Sequence, residues 1–469
     1  MKRVVIVGAG VSGLATAYHL GRIANACALP LEITILERES RPGGRVWTER
    51  IDGFQIESGA NGFLDTKRST LDLCGQLDLG SELIVARPEA KDRFIFWRDR
   101  LHKLPTGPLE LLRSGLLSWR GKMRLLAEAM VPRQRELVEE SVHQFACRRL
   151  GREAAEVLVD AMVTGIQAGD ATVLSVVAAF PRMIELERSY GSLLRAMPKV
   201  GRQRRAEAEA RGEPSSGAGG KLWSLRRGMG QIVENLAAST GAQLLQGVAV
   251  RYITPDAQGG WIVQADGADR WRCDAVVLAC PSFVQAEILE SVDTDLAALV
   301  SQVRYNSVSV VALGFCRADI SRPLAGFGYL SPQRSRRDVL GVLWSSSIFE
   351  HRAPADSLLV QAMCGGWNRS DIITWDDDTL VRAVLGELRQ SMDLTATPRL
   401  VRIFRWPRAI PQYQLGHTSL VMAIEHRRRG HPGLYLTGNS YRGISVNDCT
   451  EEAIRCAKEV SVNLEWTEH

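Results

Sequence analysis

The chain opens with a short unbroken apolar run, residues 4–7 (VVIV), and repeats the pattern at residues 33–36 (ITIL). Both runs are too short for a helix and lack the alternation of a half-solvated strand, so they predict strands buried on two faces, as in a parallel sheet. The intervening VSGLATAYHL predicts a helix. Residues 52–63 alternate and then turn at Gly59 and Gly62, which predicts a strand running into a loop, and residues 71–79 predict a helix. From 109 to 194 the spacing is helical, with leucines at Leu109, Leu112 and Leu116 and basic side chains at Arg113, Arg120, Lys122 and Arg124. Residues 202–220 are polar and glycine-rich with little to bury, and predict a mobile loop. Residues 223–236 predict a glycine turn opening a helix. Strands are predicted at 243–253, 261–264, 275–280, 308–315, 358–363 and 434–436, and a last helix from about 449 to 460.

The turn after the first strand carries chemistry. Gly8, Gly10 and Gly13 are spaced G-x-G-x-x-G where the chain enters the helix. In that spacing the first glycine permits the tight turn, the second lets backbone amides approach a pyrophosphate, and the third lets the helix lie close on the strand. The helix N-terminus then faces the phosphates with its partial positive charge. Glu37 ends the second strand, where a carboxylate can accept ribose hydroxyls and would repel a 2′-phosphate. It lies farther along the chain than the usual spacing of roughly 20 residues, and residues 25–30 take up the slack. A second glycine turn follows, with Arg41, Gly43, Gly44 and Arg45, in which Arg45 offers a guanidinium fork to a phosphate. Strand, helix, acid and second glycine turn in this order point to a flavin dinucleotide. Near the C-terminus a short strand ends at Gly438, the chain bends at Gly443, and Asn447 and Asp448 precede a helix, where either side chain can cap free amides. This segment predicts the other wall of one FAD site.

Composition adds exclusions. The 469 residues can bury more than one core, and a formal charge of +5 is too small to suggest nucleic acid. Basic clusters at 202–205, 334–337 and 427–429 lack interleaved aromatic residues and predict solvated faces. The nine cysteines form no C-x-x-C pair and suit a reducing, cytoplasmic setting, and the histidines show no metal-ligand spacing. No run reaches the roughly 18 apolar residues of a membrane span.

With these residues in hand, the chain resembles the oxygen-dependent porphyrinogen oxidases, within the amine-oxidase-like flavoproteins. The matching stretches are DRFIFW with LHKLPTG, ESVHQFACRRLG, TGIQAGD, GFGYL, AIPQYQLGH and NSYRGISVNDC, spread over nearly the whole chain. The resemblance implies an α/β fold: a Rossmann-like FAD-binding domain from residues 1–88, 221–295 and 431–469, a mixed-sheet substrate domain from 89–104 and 296–430, and an α-helical insertion at 105–220. It implies non-covalent FAD, held by Gly8, Gly10, Gly13, Glu37, Arg38, Gly43, Gly44, Arg45, Gly59, Val248, Gly438, Val446, Asn447 and Asp448. The implied reaction is the six-electron aromatisation of protoporphyrinogen IX or coproporphyrinogen III, with hydride passing to the flavin and O2 reduced to hydrogen peroxide. Arg93 matches the position that pairs with a propionate. Phe327, Gly328 and Leu330 would line the macrocycle with Met363 opposite, and the turn from Gly165 to Gly169 would lie near the flavin ring. His417 sits in a matching motif, but a histidine satisfying buried backbone groups is the better reading of it than a general base, and no base is assigned.

Other readings of the same residues stay open. An amine oxidase or desaturase would share the FAD site, although residues 439–442 carry no cysteine where many amine oxidases bond the flavin. A flavin-free binding module of this fold is disfavoured by the intact phosphate glycines, Glu37 and Arg45. Residues 104–131 have the composition both of an interfacial amphipathic helix on a membrane face and of a helix packed on its own domain. Assembly as a homodimer is equally open.

Overall fold

The two apolar runs become neighbouring strands. In the computed structural model, which describes residues 1–134, 138–210, 212, 220–320 and 323–464, Lys2–Val7 and Leu31–Glu37 pair in parallel with Val4 opposite Ile33. Three more strands extend them into a parallel sheet, in the order Gln243–Gln246, Leu31–Glu37, Lys2–Val7, Ala275–Leu278, Leu434–Leu436. One face holds Val4, Ile6 and Ile35 against the helices Val11–Ala26 and Val446–Asn463. The other holds Val5, Val7 and Leu278 against Ser282–Leu289, Thr294–Ser301 and a small antiparallel sheet. Burial on both sides explains why these strands read as continuous apolar runs.

Two expectations fail locally. The strand expected over 243–253 is two strands, Gln243–Gln246 in the parallel sheet and Val250–Pro255 in the antiparallel one. Gly247, at φ +73°, turns the chain between them. The loop expected over 202–220 begins as helix, because Leu193–Ala210 continues through an alanine and glutamate run with strong helix propensity and buries Ala196, Val200 and Ala208. Residues 211 and 213–219 of that loop lie outside the described residues.

The helical stretch after residue 105 is a set of short helices, among them Pro108–Arg113, Trp119–Leu126, Val142–Leu150, Asp160–Gln167 and Pro181–Tyr190. Glu128, fully buried, accepts the Leu193 and Leu194 amides (both 3.0 Å) at the start of Leu193–Ala210 and pairs with the equally buried Arg149. The boundary expected at 295/296 falls inside Thr294–Ser301, and His417–Arg428 packs Val421 and Ile424 on the parallel-sheet side.

A second sheet has seven strands in the order Leu400–Trp406, Val308–Cys316, Ser357–Gly365, Val339–Leu343, Gly328–Leu330, Arg93–Trp97, Arg100–Lys103. Only Gly328–Leu330 and Arg93–Trp97 run parallel. Alternation sorts its faces. Val311, Leu313, Val360 and Ala362 pack on the helix Asp377–Met392 through Leu380, Val384 and Leu388. Val308, Val310, Leu359 and Met363 face Phe54 and Ile56, which belong to the first segment of the chain.

A buried ion pair ties this sheet to that segment. Glu57, at the end of the strand Phe54–Glu57, is 1% exposed and accepts the Met229 amide at 2.9 Å and the Thr48 hydroxyl at 2.8 Å. Arg352 comes from the side of the seven-stranded sheet to 3.4 Å from the same carboxylate, 2% exposed, and donates to the Ser224 hydroxyl at 2.7 Å. Burial raises the Glu57 pKa and lowers that of Arg352. Removing one partner leaves an uncompensated buried charge. Arg352→Met is therefore expected to lower unfolding stability by about 3–5 kcal/mol, measured by urea denaturation, and adding Glu57→Gln should recover part of the loss. A double variant no more stable than Arg352→Met alone would show that the pair is not coupled.

Candidate active site

All five strands of the first sheet run the same way, so the turns leaving Lys2–Val7 and Leu434–Leu436 open at one edge, the edge at which parallel α/β sheets bind ligands. Gly8 takes φ +105°, and a Cβ there would lie 3.0 Å from the Cys280 amide. A Cβ on Gly13 would lie 2.0 Å from the Gly8 carbonyl oxygen, which is the close approach of helix to turn that its spacing predicted. Gly10 differs: a Cβ there meets no atom within 4 Å. It is the N-cap of Val11–Ala26, and no side chain caps that helix. Free helix amides beside open space are what a diphosphate requires.

The second glycine turn touches the first. The Gly43 amide donates to the Ala9 carbonyl at 2.8 Å, and Gly44 faces Gly10 across the crevice. Glu37, 8% exposed, accepts the Ala9 amide at 2.7 Å and the Glu39 amide at 2.9 Å, one on each carboxylate oxygen. Each oxygen keeps a lone pair for a ribose hydroxyl. The Val248 amide donates to the Glu37 carbonyl at 2.8 Å, so Val248 borders the same place. Arg38 points outward and pairs with Glu39 at 3.0 Å. Arg45 donates to the Arg408 carbonyl and lies over the Tyr305 ring at 5.7 Å, and burial lowers its pKa. Gly59 runs against Arg45, where a Cβ would lie 2.6 Å from the Arg45 carbonyl oxygen.

The C-terminal wall is built differently from the expectation. The helix begins at Val446 and its N-cap is Ser445, whose hydroxyl accepts the Asp448 amide at 3.2 Å. Asp448 closes a capping box by accepting the Ser445 amide at 2.9 Å, and it also pairs with Lys67 at 2.7 Å. Asn447 and Asp448 thus lie inside the first turn and do not precede it. The Asn447 side chain donates to the Leu64 carbonyl at 2.7 Å, while its Oδ1 is buried with no partner among the described residues. Gly438 takes φ +115°; Gly443, at φ +72°, leaves room for Asp448, which a Cβ would strike at 2.2 Å. Cys449 lies beside Ser12, so the first turns of the two helices meet. Burial pushes the Cys449 thiol up to about 11, so it stays neutral. The N-terminal and C-terminal motifs therefore share one crevice, and its residues fit a flavin dinucleotide.

The second sheet brings most of the predicted substrate residues onto one face. Gly328 pairs with Arg93, Leu330 with Gly341, and Gly341 with Met363, so Leu330 and Met363 flank one glycine across three strands. Gly328, at φ +129°, would place a Cβ 2.0 Å from the Val342 carbonyl oxygen. Arg93 is exposed, its guanidinium lies 4.7 Å from the Phe327 ring centroid, and no carboxylate pairs with it among the described residues. Above this face lies Asp160–Gln167, whose Gly165 packs on Leu330; a Cβ there would meet the leucine at 2.5 Å. Gly169 is set apart, against Gln412 and Leu174.

Sequence reasoning missed Trp47 and Phe404, which pack edge to face at 5.5 Å beside Met363, with Arg41 over the Trp47 ring at 4.2 Å. Trp47 follows the second glycine turn by two residues, a signal that could have found it; Phe404 carries none, because only the pairing of Val310 with both Met363 and Phe404 brings it there. Asn306 was missed as well: it donates to the Gln167 and Ala168 carbonyls at 2.8 Å and accepts the Ile410 amide at 3.0 Å, fixing the turn beneath the helix. His417 is stacked on Tyr413 at 4.1 Å with its Nε2 3.0 Å from the Tyr441 carbonyl oxygen, and burial lowers its pKa.

The chain is similar to known flavoproteins in sequence and in fold. The sequence profile described as flavin containing amine oxidoreductase matches residues 11–461. Protoporphyrinogen oxidase from Homo sapiens is 32% identical over 98% of both chains. Coproporphyrinogen III oxidase from Bacillus subtilis is 27% identical over 96% of both. The crystal structure of a protein from Exiguobacterium sp. 255-15, provisionally titled a protoporphyrinogen oxidase, superposes with a TM-score of 0.82 at 26% identity, covering 99% of each chain.

The open space at Gly10 gives a direct test. Gly10→Val should yield folded protein that purifies without the flavin absorption band, because the new Cβ meets no protein atom and its methyls enter the space proposed for the ligand. A variant that keeps a full complement of flavin would remove Gly10 from the cofactor site.

Proposed function

The chain belongs to the flavin-containing amine oxidoreductase family, and on that premise we propose that it is an FAD-dependent oxidase converting a porphyrinogen to the porphyrin with O2 as acceptor. The observation that carries this reading is Arg93, a cation with no carboxylate partner among the described residues, at one end of a sheet face that also carries Leu330 and Met363. A broad apolar macrocycle with carboxylates on one edge matches that distribution. A small amine would leave Arg93 without an anion.

The Gly10 crevice, the free amides of the first helix, Glu37 and the second glycine turn would hold the dinucleotide. When bound, FAD takes up the hydride equivalents and delivers them to O2 as hydrogen peroxide. Six electrons and six protons leave per macrocycle, so three O2 are consumed. The work of the chain is positional. Arg93 anchors a propionate, stiffened by its contact with the Phe327 ring. Leu330 and Met363 wall the pocket on either side of Gly341, whose lack of a side chain makes room for the Leu330 side chain, since a Cβ there would lie 2.7 Å from it. Pyrrole protons leave to solvent, since His417 is tied to the Tyr441 carbonyl. The apolar wall away from Arg93 favours the vinyl-bearing protoporphyrinogen IX over coproporphyrinogen III, whose two extra propionates would need cations of their own.

Purified protein is expected to oxidise protoporphyrinogen IX under air with peroxide released, and faster than coproporphyrinogen III. Arg93→Ala should raise KM about tenfold while leaving bound flavin unchanged. Unaltered kinetics would remove Arg93 from the pocket, and turnover of amines without porphyrinogens would overturn the assignment.

A membrane face is part of this reading. Leu109, Trp119, Met123 and Met130 are 71%, 65%, 48% and 80% exposed, with Arg113 and Arg120 also outward. Lys122 and Arg124 turn inward, to the carbonyls of Leu112 and of Arg148 and Arg149. Leu111, Leu116 and Leu117 pack inward, so the outward set is left over after the subdomain has closed its own core. Among the described residues no helix is long and apolar enough to cross a membrane. The protein should sediment with anionic vesicles at low salt and in part at high salt, and Trp119→Ala with Met130→Ser should abolish the salt-resistant part; full recovery in the supernatant at low salt would refute the contact.

A further inference from the structure

A cavity of about 390 Å³ lies where the helical insertion meets the turn that follows the substrate strand Gly328–Leu330. It is lined by Asp160, Glu156 and Asp170 from the insertion and by Gln333 and Arg334 from the turn. Asp160 starts the helix whose Gly165 packs on Leu330, and it is only 9% exposed. Its carboxylate accepts the Gln333 amide at 2.6 Å, and the Arg334 amide lies beside it. The Gln333 side chain is gripped separately: Asn368 donates to it at 3.2 Å and to Asp170 at 3.0 Å.

One short helix thus holds the Leu330 wall at two points, by contact at Gly165 and by a hydrogen bond between Asp160 and the turn only three residues beyond. We propose that Asp160 is a positioning residue for the porphyrinogen pocket, clamping the turn at residues 333–335 so that Leu330 keeps its distance from Met363. This rests on the porphyrinogen reading of the site. A charged carboxylate accepts an amide more strongly than a neutral carboxyl, so the clamp weakens on protonation. The groups around Asp160 make that protonation accessible. Asp170 and Glu156 face it as like charges, while Arg334 and Arg152 engage Glu156, and His143 completes the lining. Burial, with the two acidic neighbours, pushes Asp160 up to about 6.

The test uses the holoenzyme. In wild type, KM for porphyrinogen should climb as pH falls through about 6, with kcat less affected. Asp160→Asn, nearly isosteric and unable to ionise, should retain flavin, show a KM about fivefold higher at pH 8, and lose the rise in KM below pH 6. Hydrogen exchange at pH 8 should be faster at the Gln333 and Arg334 amides in the variant than in wild type. A variant whose KM follows pH as wild type does, or whose exchange at those amides is unchanged, overturns the proposal. Faster exchange with unchanged KM would show a clamp that does not set the pocket, which overturns it equally. Wild-type enzyme that oxidises no porphyrinogen, whatever the exchange result, marks failure of the underlying function.

Discussion

The approach of the first helix to the turn before it constrains everything else in the molecule. A single carbon atom added at Gly13 would stand 2.0 Å from the Gly8 carbonyl oxygen, far inside contact distance. Because that space is empty, the helix N-terminus reaches the edge of the parallel sheet and its amides open on the crevice. The second glycine turn docks there through Gly43, Glu37 locks beneath it, and Ser12 meets Cys449 of the C-terminal helix. Segments more than 430 residues apart in sequence share one crevice for this reason, which follows from the positions of Ser12 and Cys449.

The second sheet depends on that crevice through Glu57. The strand Phe54–Glu57 packs Phe54 and Ile56 against the substrate face, and its last residue carries the buried carboxylate that receives Arg352. Gln361, from the long strand Ser357–Gly365, donates to the Glu57 carbonyl at 2.8 Å, so the backbone is held as well as the side chain. Two residues along that strand is Met363, on the same face. Gln361, which holds the Glu57 backbone, and Met363, proposed as a wall of the pocket, are therefore one pleat apart.

How far the sequence disclosed this follows from the range of each signal. The glycine turns, Glu37 and the parallel strands were legible because their reasons are local: a turn geometry, a helix end, a run buried on both faces. Gly247 was passed over since a strand on either side of one glycine looks like one strand, and Ser445 was missed as the cap because Asn447 and Asp448 have equal capping chemistry two and three residues later. Gly328, Leu330, Met363 and Arg93 came from resemblance alone; composition gives no hint that they share a face, which depends on a register across four strands. Phe404 and Asn306 needed that register and carried no local sign. The helical run after residue 105 was visible as helix, but its division into short pieces was not, because the breaks are set by packing and by the buried Glu128 and Arg149.

The titratable groups near the crevice show where catalysis can and cannot come from. Tyr413 donates to the Asn439 carbonyl at 2.6 Å, Tyr441 to the Gln285 side chain, and His417 is bonded to the Tyr441 carbonyl. Burial raises the pKa of both tyrosines and lowers that of the histidine, so all three are neutral and engaged. They are the frame of the C-terminal wall and supply no proton traffic. A reaction that removes hydride from a carbon bridge suits such a site, because its difficult step calls for distance and orientation more than for an acid or base. The chemistry belongs to the flavin, and on the proposed reading selection for substrate falls on Arg93 at the polar edge and on Leu330 and Met363 at the apolar one.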